Sequence, residues 1–273
     1  MRNPFPKIGK VIKYDFKHSS RRLLPLYGAL LVLGLLVGLF AEPSRVFHDE
    51  AVLRNQFFVA GLFFAFMVLS VVSVVMTVVS IAKGFKQSML EDEAYLNLSL
   101  PVTIGEHLWG KFIMAFGWLF CCCIIVFLSG LMCFIRAGWD NIFNEIAQNL
   151  PEMQASLEFY GLSFGKVIAM AILLSVAFAF FVITLIFVVN AISHLFKKSK
   201  GFVKFVTVVV LFWINGWIYK LVPEVDSNSF SVMQQVGPAV IKSMYITALI
   251  SLLISAVYFA VTHYIFAKRL NLE

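Results

Sequence analysis

The sequence predicts an all-α integral membrane protein with six transmembrane helices, an N-terminal amphipathic interface helix and a helical elbow between the second and third spans. Composition is the first reason, because 60% of the 273 residues are hydrophobic and only 14% are charged. A soluble domain is about 45–50% apolar and about 25% charged. Six long apolar runs and one patterned polar loop are the other two reasons. We treat residues 1–273 as a single transmembrane domain.

The N-terminal segment, residues 1–22, is predicted to be an interface helix. At helical spacing its apolar residues share one side and its lysines the other. Such a basic amphipathic helix, leading directly into a span, favours anionic membrane lipid over nucleic acid as its partner. Asp15 falls on the apolar side, either as a rim position or as a contact for a partner protein. The candidate interface residues are Lys10, Lys13, Asp15 and Lys17.

Six apolar runs follow, and about 20 helical residues suffice to cross a hydrocarbon core of about 30 Å. The fifth run is the weakest, because Lys204 and Lys220 bracket a short apolar centre, although both side chains can snorkel. We read the first run as an uncleaved span, since a long basic segment precedes it. The runs are 23–41, 57–82, 112–135, 167–190, 203–221 and 244–266.

The distribution of Lys and Arg predicts the orientation. Sixteen of the 22 basic residues lie in the N-terminal segment, the loop 83–111, the segment 191–204 and the C-terminal tail. The positive-inside rule therefore places both termini and the loop 83–111 in the cytoplasm. The loop 136–166 is then external, and Asp140 is expected to cap a short amphipathic helix there that ends at Pro151 and lies on the outer leaflet as a lid.

Two spans carry small or hydroxyl residues at helical spacing. In the second span, the hydroxyl face either packs against another helix or forms a polar wall of a translocation path. In the first span, Gly34 and Gly38 form a Gly-x-x-x-Gly pattern that permits close helix packing, within the chain or in a dimer. The hydroxyl face consists of Ser70, Ser73, Thr77 and Ser80.

The loop 83–111 is the one sizeable polar segment with a recognisable pattern. It carries an acidic triplet at residues 91–93, then a Leu-rich segment at residues 96–100, and then Pro101, which is expected to end the first helix. Thr103 and Glu106 follow as Thr-x-x-Glu, which predicts a capping box at the start of a new helix that runs into the third span. Because the second of these helices is continuous with the third span, a displacement of the loop can be transmitted into the membrane.

Sequence motifs that suggest chemistry lack their required context. Gly105–Lys111 matches most of a P-loop but lacks the Ser or Thr that holds Mg²⁺. Gly161–Gly165 matches Gly-x-Ser-x-Gly, but no strand precedes it. The four cysteines stand in one apolar run without His or carboxylate beside them. We therefore expect no catalytic site, metal or cofactor on this chain, and the lack of acidic residues within the spans argues against ion-driven transport.

The segment Glu91–Lys111, with the sequence EDEAYLNLSLPVTIGEHLWGK, resembles the loop of bacterial ABC type 2 exporter permeases. In that family an acidic residue leads to a Leu-rich stretch, a Pro at the elbow and a Lys at the start of span three. The segment Val11–Lys17 is similar to the family's interface helix. The likeness covers the layout of the whole chain, but only these two segments carry specific similarity. Ala94 departs from the family, which often has Gly there, and this puts the local turn geometry in doubt.

The resemblance implies that residues 87–98 form a coupling helix that docks on separate ABC ATPase subunits, which would carry ATP and Mg²⁺. It also implies a second permease subunit, identical or paralogous, and a bacterial plasma membrane. Two other classes stay open: a membrane scaffold or sensor, in which the acidic triplet is a solvated helix face or holds another partner, and a membrane enzyme using Ser163 or His48. The implied coupling residues are Glu91, Asp92, Glu93, Ala94, Tyr95, Leu98 and Pro101.

Overall fold

The computed structural model describes residues 5–40, 50–90, 103–135, 139–196, 199–220, 222 and 233–268, and all regular structure in these ranges is α-helical. Six of the helices there are long and apolar enough to cross a membrane, which confirms the six predicted spans and makes this a multi-pass membrane protein. The helices are α1 Phe5–Phe40, α2 Glu50–Leu90, α3 Ile104–Met132, α4 Trp139–Phe159, α5 Phe164–His194, α6 Lys200–Tyr219 and α7 Met233–Lys268.

Helix α1 joins the N-terminal segment and the first span in one continuous helix, Phe5–Phe40. The sequence predicts an interface helix over residues 1–22 and a span from residue 23. Pro25 lies inside α1 and lacks a backbone N–H, so the carbonyl of Arg21 loses its helical partner. The helix nevertheless continues on both sides of this position.

Helices α2 and α3 are both longer than the apolar runs within them. The 41 residues of α2 span about 60 Å and the 29 residues of α3 about 43 Å, against a hydrocarbon core of about 30 Å. The predicted capping box at the start of α3 is confirmed. The Thr103 N–H donates to Glu106 Oε2 at 2.8 Å, and the Glu106 N–H donates to Thr103 Oγ1 at 3.3 Å.

We expect Thr103→Ala to cost about 1 kcal/mol of local stability, because an N–H of the first turn of α3 then loses its side-chain acceptor. Hydrogen exchange of the amides in the first turn of α3 should rise about fivefold. Thr103→Ser keeps the hydroxyl and serves as the control. Equal exchange rates in the Ala and Ser variants would show that the box does not hold this helix start.

The prediction that Pro151 ends the external helix is wrong, because α4 runs through Pro151 to Phe159. The helix is exposed along most of its described length, so the carbonyl that loses its partner to proline can be solvated. The helix instead ends at Phe159, two residues before Gly161, which has a φ of 72° in the left-handed region. The N–H of Leu162 donates to the carbonyl of Leu157 and that of Gly161 to Glu158, which is a Schellman motif.

The chain divides into two compact units. The first comprises Met1–Gly84 and Ile113–Gln148, and the second comprises Phe85–Phe112 and Asn149–Glu273. In the first unit, Leu30 and Val37 of α1 pack with Phe66 of α2.

The second unit is built on α5, α6 and α7. Its apolar core contains Val188 and Val189 of α5 and Ile254 and Tyr258 of α7. Three polar pairs link neighbouring helices within this unit, and each joins groups that would be costly to bury alone. The Tyr258 hydroxyl donates to Asn215 Oδ1 at 2.9 Å, Tyr219 and Ser251 share a hydrogen bond of 2.8 Å, and Lys204 Nζ donates to Asn190 Oδ1 at 2.7 Å.

Candidate functional site

Of the coupling helix expected over residues 87–98, residues 87–90 are the last turn of α2, and Ser88, Met89 and Leu90 are buried there. The predicted coupling residues themselves lie outside the described part of the chain, so their docking role stays a prediction. These residues are Glu91, Asp92, Glu93, Ala94, Tyr95, Leu98 and Pro101. The structure describes the chain on each side of them. We call residues 85–90 and 104–112, with the side chains of α5 and α7 that contact them, the loop base.

An aromatic cluster anchors the last turns of α2. The Phe85 side chain is 2% exposed. Its ring stacks on Phe187 of α5 with a centroid distance of 4.1 Å, and it meets Phe266 of α7 edge to face at 5.9 Å. Met89 and Leu90 are also buried. The end of α2 is therefore attached to two other membrane helices immediately before the loop.

The first turns of α3 contact the same two helices. The Trp109 ring lies 4.9 Å from Phe259 of α7, and the Phe112 ring lies 4.8 Å from Phe180 of α5. A Cβ placed on Gly105 would lie 3.6 Å from His263 Nε2 of α7, which is ordinary contact distance. Both ends of the loop are thus anchored on α5 and α7.

Polar side chains are buried inside the loop base. His107 is 1% exposed and Lys111 is 7% exposed, and each takes part in at least one polar, ring or electrostatic interaction. A buried cation is tolerated only when it is paired or hydrogen-bonded. The sequence interpretation missed this arrangement. The signal available was the spacing of four that places these two residues on one face of α3.

The predicted interface residues are described only in part. The side chains of Lys10, Lys13 and Asp15 lie outside the described set, and Lys17 is exposed. Phe16, from the predicted apolar face, stacks on Trp118 of α3 with a centroid distance of 5.2 Å and an interplanar angle of 9°.

The hydroxyl face of α2 is turned to its own backbone. Ser70, Ser73 and Thr77 each donate to the carbonyl four residues earlier, at 2.7–2.8 Å. Ser73 and Thr77 are fully buried, whereas Ser80 is half-buried. Thr77 Oγ1 also lies 2.7 Å from the Tyr27 hydroxyl of α1. This geometry is typical of helix packing, and a role in a translocation path stays a prediction.

Gly34 and Gly38 face α3 of the same chain. A Cβ on Gly34 would lie 2.5 Å from the carbonyl oxygen of Ser129, and one on Gly38 would overlap that of Met132. The glycine face is therefore filled by intramolecular helix packing. A dimer contact through this face would require α3 to leave it.

No group of three or more His, Cys, Asp and Glu side chains in the described ranges could hold a metal ion. The four cysteines are free thiols.

No protein-family model, curated protein or solved structure matches the chain. A function must therefore be inferred from its own residues and their geometry.

Proposed function

We propose that this chain is the transmembrane permease subunit of an ATP-driven exporter of the kind that ABC type 2 permeases represent. It would form the translocation path and be driven by separate nucleotide-binding subunits. The loop base carries the proposal: the loop of residues 91–102 leaves from one helix and enters another, and both are anchored by aromatic contacts on α5 and α7. The sequence pattern of residues 91–111 supports the same reading.

The proposed mechanism is mechanical. An ATPase subunit docks on the loop, where Glu91, Asp92 and Glu93 meet basic groups and Tyr95 and Leu98 supply apolar contacts. When ATP closes the ATPase pair, the displaced loop pulls on α2 and α3, which are continuous helices. Because Phe85 and Phe112 contact α5 and α7, the same displacement reaches those spans too. A loop joined to the spans by flexible segments would not pass this displacement on.

The loop base favours an exporter subunit over a scaffold. A scaffold needs only a surface that holds its partner, and it gains nothing from fixing both loop ends to two further spans. ATP and Mg²⁺ would bind on the ATPase, and a second permease, identical or paralogous, would complete the path. The proposed location is a bacterial plasma membrane with both termini cytoplasmic, as the Lys and Arg distribution favours.

The test is purification of the full chain in a gentle detergent, followed by mass spectrometry of the proteins that accompany it. We expect an ATP-binding subunit to co-purify with the native chain. Reversal of the triplet (Glu91→Lys, Asp92→Lys and Glu93→Lys) should weaken its binding at least tenfold, because three surface charge pairs become repulsive.

The matched control reverses three glutamates of α4, Glu145, Glu152 and Glu158, which gives the same change of net charge at the predicted opposite membrane face. This variant should retain the ATPase. Retention by both variants would contradict the docking assignment and leave the exporter class standing. No ATPase under any condition would favour the scaffold or sensor.

A further inference from the structure

A cavity of about 330 Å³ lies where the α4–α5 turn meets the first half of α7. Two lysines from different helices line it, Lys166 in the first turn of α5 and Lys242 in α7. Tyr245 and Pro238 of α7 and Gly161 of the turn form other parts of the wall. Residues so far apart in sequence share this cavity only because the helices pack together.

Neither lysine has a carboxylate partner among the described residues. No Asp or Glu lines the cavity, and neither Lys166 nor Lys242 takes part in an ion pair or hydrogen bond in the described part of the chain. Glu158, near the end of α4, is not among the lining residues. The cavity therefore carries two positive charges without an opposite charge among the described residues, and a bound anion would offset them.

The cavity is held by close backbone packing. A Cβ on Gly237, in the first turns of α7, would overlap the carbonyl oxygen of Tyr160 and lie 2.7 Å from Leu162 Cγ. The turn itself is fixed by the Schellman motif around Gly161. These contacts hold the α4–α5 turn against α7, so Lys166 and Lys242 are carried by packed helices, and their side chains are exposed at the cavity.

Its position corresponds to the membrane boundary. Lys166 lies two residues after the start of α5, and long apolar stretches follow both lysines along α5 and α7. Lysines at the ends of spans extend toward the head-group layer. By the distribution of basic residues this is the outer side, which holds only six of the 22, and two of those six share this cavity.

We infer that the cavity binds the phosphate head group of an anionic lipid from the outer leaflet. Lys166 and Lys242 supply two positive charges, and the Tyr245 hydroxyl supplies a donor. A lipid is favoured over a soluble anion because exposed apolar side chains continue from the cavity along both helices, including Ile168 of α5 and Leu249 of α7. The acyl chains would lie on this surface. The inference does not depend on ATPase coupling.

The experiment uses the full chain in phosphatidylcholine nanodiscs containing increasing phosphatidylglycerol, with native mass spectrometry to count bound lipid. The double variant Lys166→Ala/Lys242→Ala should bind phosphatidylglycerol about 25-fold more weakly, since each lysine near an anionic group contributes about fivefold. Lys166→Arg/Lys242→Arg keeps both charges and should bind normally. Lys220→Ala removes another membrane-end lysine, one that lies over Trp217 and outside the cavity, and should change binding less than twofold.

Two outcomes would overturn the inference. One is phosphatidylglycerol binding by the double alanine variant that equals the native chain. The other is full competition by millimolar inorganic phosphate, which would make the occupant a soluble anion. If the alanine variant aggregates on size exclusion, Lys166→Gln/Lys242→Gln keeps a long polar side chain without the charge and must show the same loss.

Discussion

Phe85→Ala is expected to destabilise the protein by about 2–3 kcal/mol and to weaken the coupling of a bound ATPase to transport. Phe→Ala changes in packed cores cost about 3–5 kcal/mol. Part of that cost is transfer from water, which is smaller where lipid is the surrounding medium, so a lower value is expected here. The rest is lost contact with Phe187 and Phe266. Unfolding in mixed micelles of increasing dodecyl sulfate would measure the free energy.

The control is Phe64→Ala, on the same helix but 71% exposed, which should change stability by less than about 0.5 kcal/mol. With an ATPase bound, Phe85→Ala should keep ATP hydrolysis and reduce substrate export. The α2 end of the loop then moves without carrying α5 and α7, and only the α3 contacts of Trp109 and Phe112 still connect the loop to them. Equal unfolding free energies for the two variants would mean that the loop base does not anchor α2.

The second large effect is expected at Gly38. A methyl group there would overlap the carbonyl oxygen of Met132, and backbone cannot swing aside as a side chain can. Gly38→Ala should therefore separate α1 from α3 and cost about 3 kcal/mol, at the upper end of overpacking effects. Thermal unfolding in a mild detergent would detect it.

Gly28→Ala is the matched control on the same helix, because no atom lies within 4 Å of its would-be Cβ. It should stabilise the chain by up to about 1 kcal/mol, since Ala is the better helix former. If Gly38→Ala lowers dimer content but leaves the unfolding of the monomer unchanged, the glycine face serves self-association and the intramolecular packing described above is wrong.

Features that depend on local chemistry could be predicted from the sequence. The six spans follow from the apolar runs, because a helix that crosses hydrocarbon needs about 20 predominantly apolar residues. The capping box joins Thr103 and Glu106, three residues apart, so no distant contact is needed to form it. The rule that a proline ends a helix failed at Pro151, because the exposure of α4 lets the unpaired carbonyl be solvated.

The loop base could not be predicted from the sequence. The chain has 29 Phe residues, and periodicity does not distinguish Phe85, which is buried in an aromatic cluster, from Phe64, which is exposed. The partner ring of Phe85 belongs to Phe187, in a different span, and only the packing of helices selects that pair. The acidic triplet lies outside the described residues, so the docking of an ATPase on it is supported by the sequence pattern alone.

The hydroxyl groups of α2 and α7 have a consequence for biogenesis. Thr77 of α2 donates to a carbonyl of its own preceding turn, and so do Ser251, Ser255 and Thr262 of α7. These four hydroxyl groups can enter lipid before neighbouring helices arrive, because each already donates to a carbonyl of its own helix. Insertion can then proceed span by span as the ribosome delivers them. Contacts between spans, such as that of Tyr27 in α1 with Thr77 in α2, then form after both helices have inserted into the bilayer.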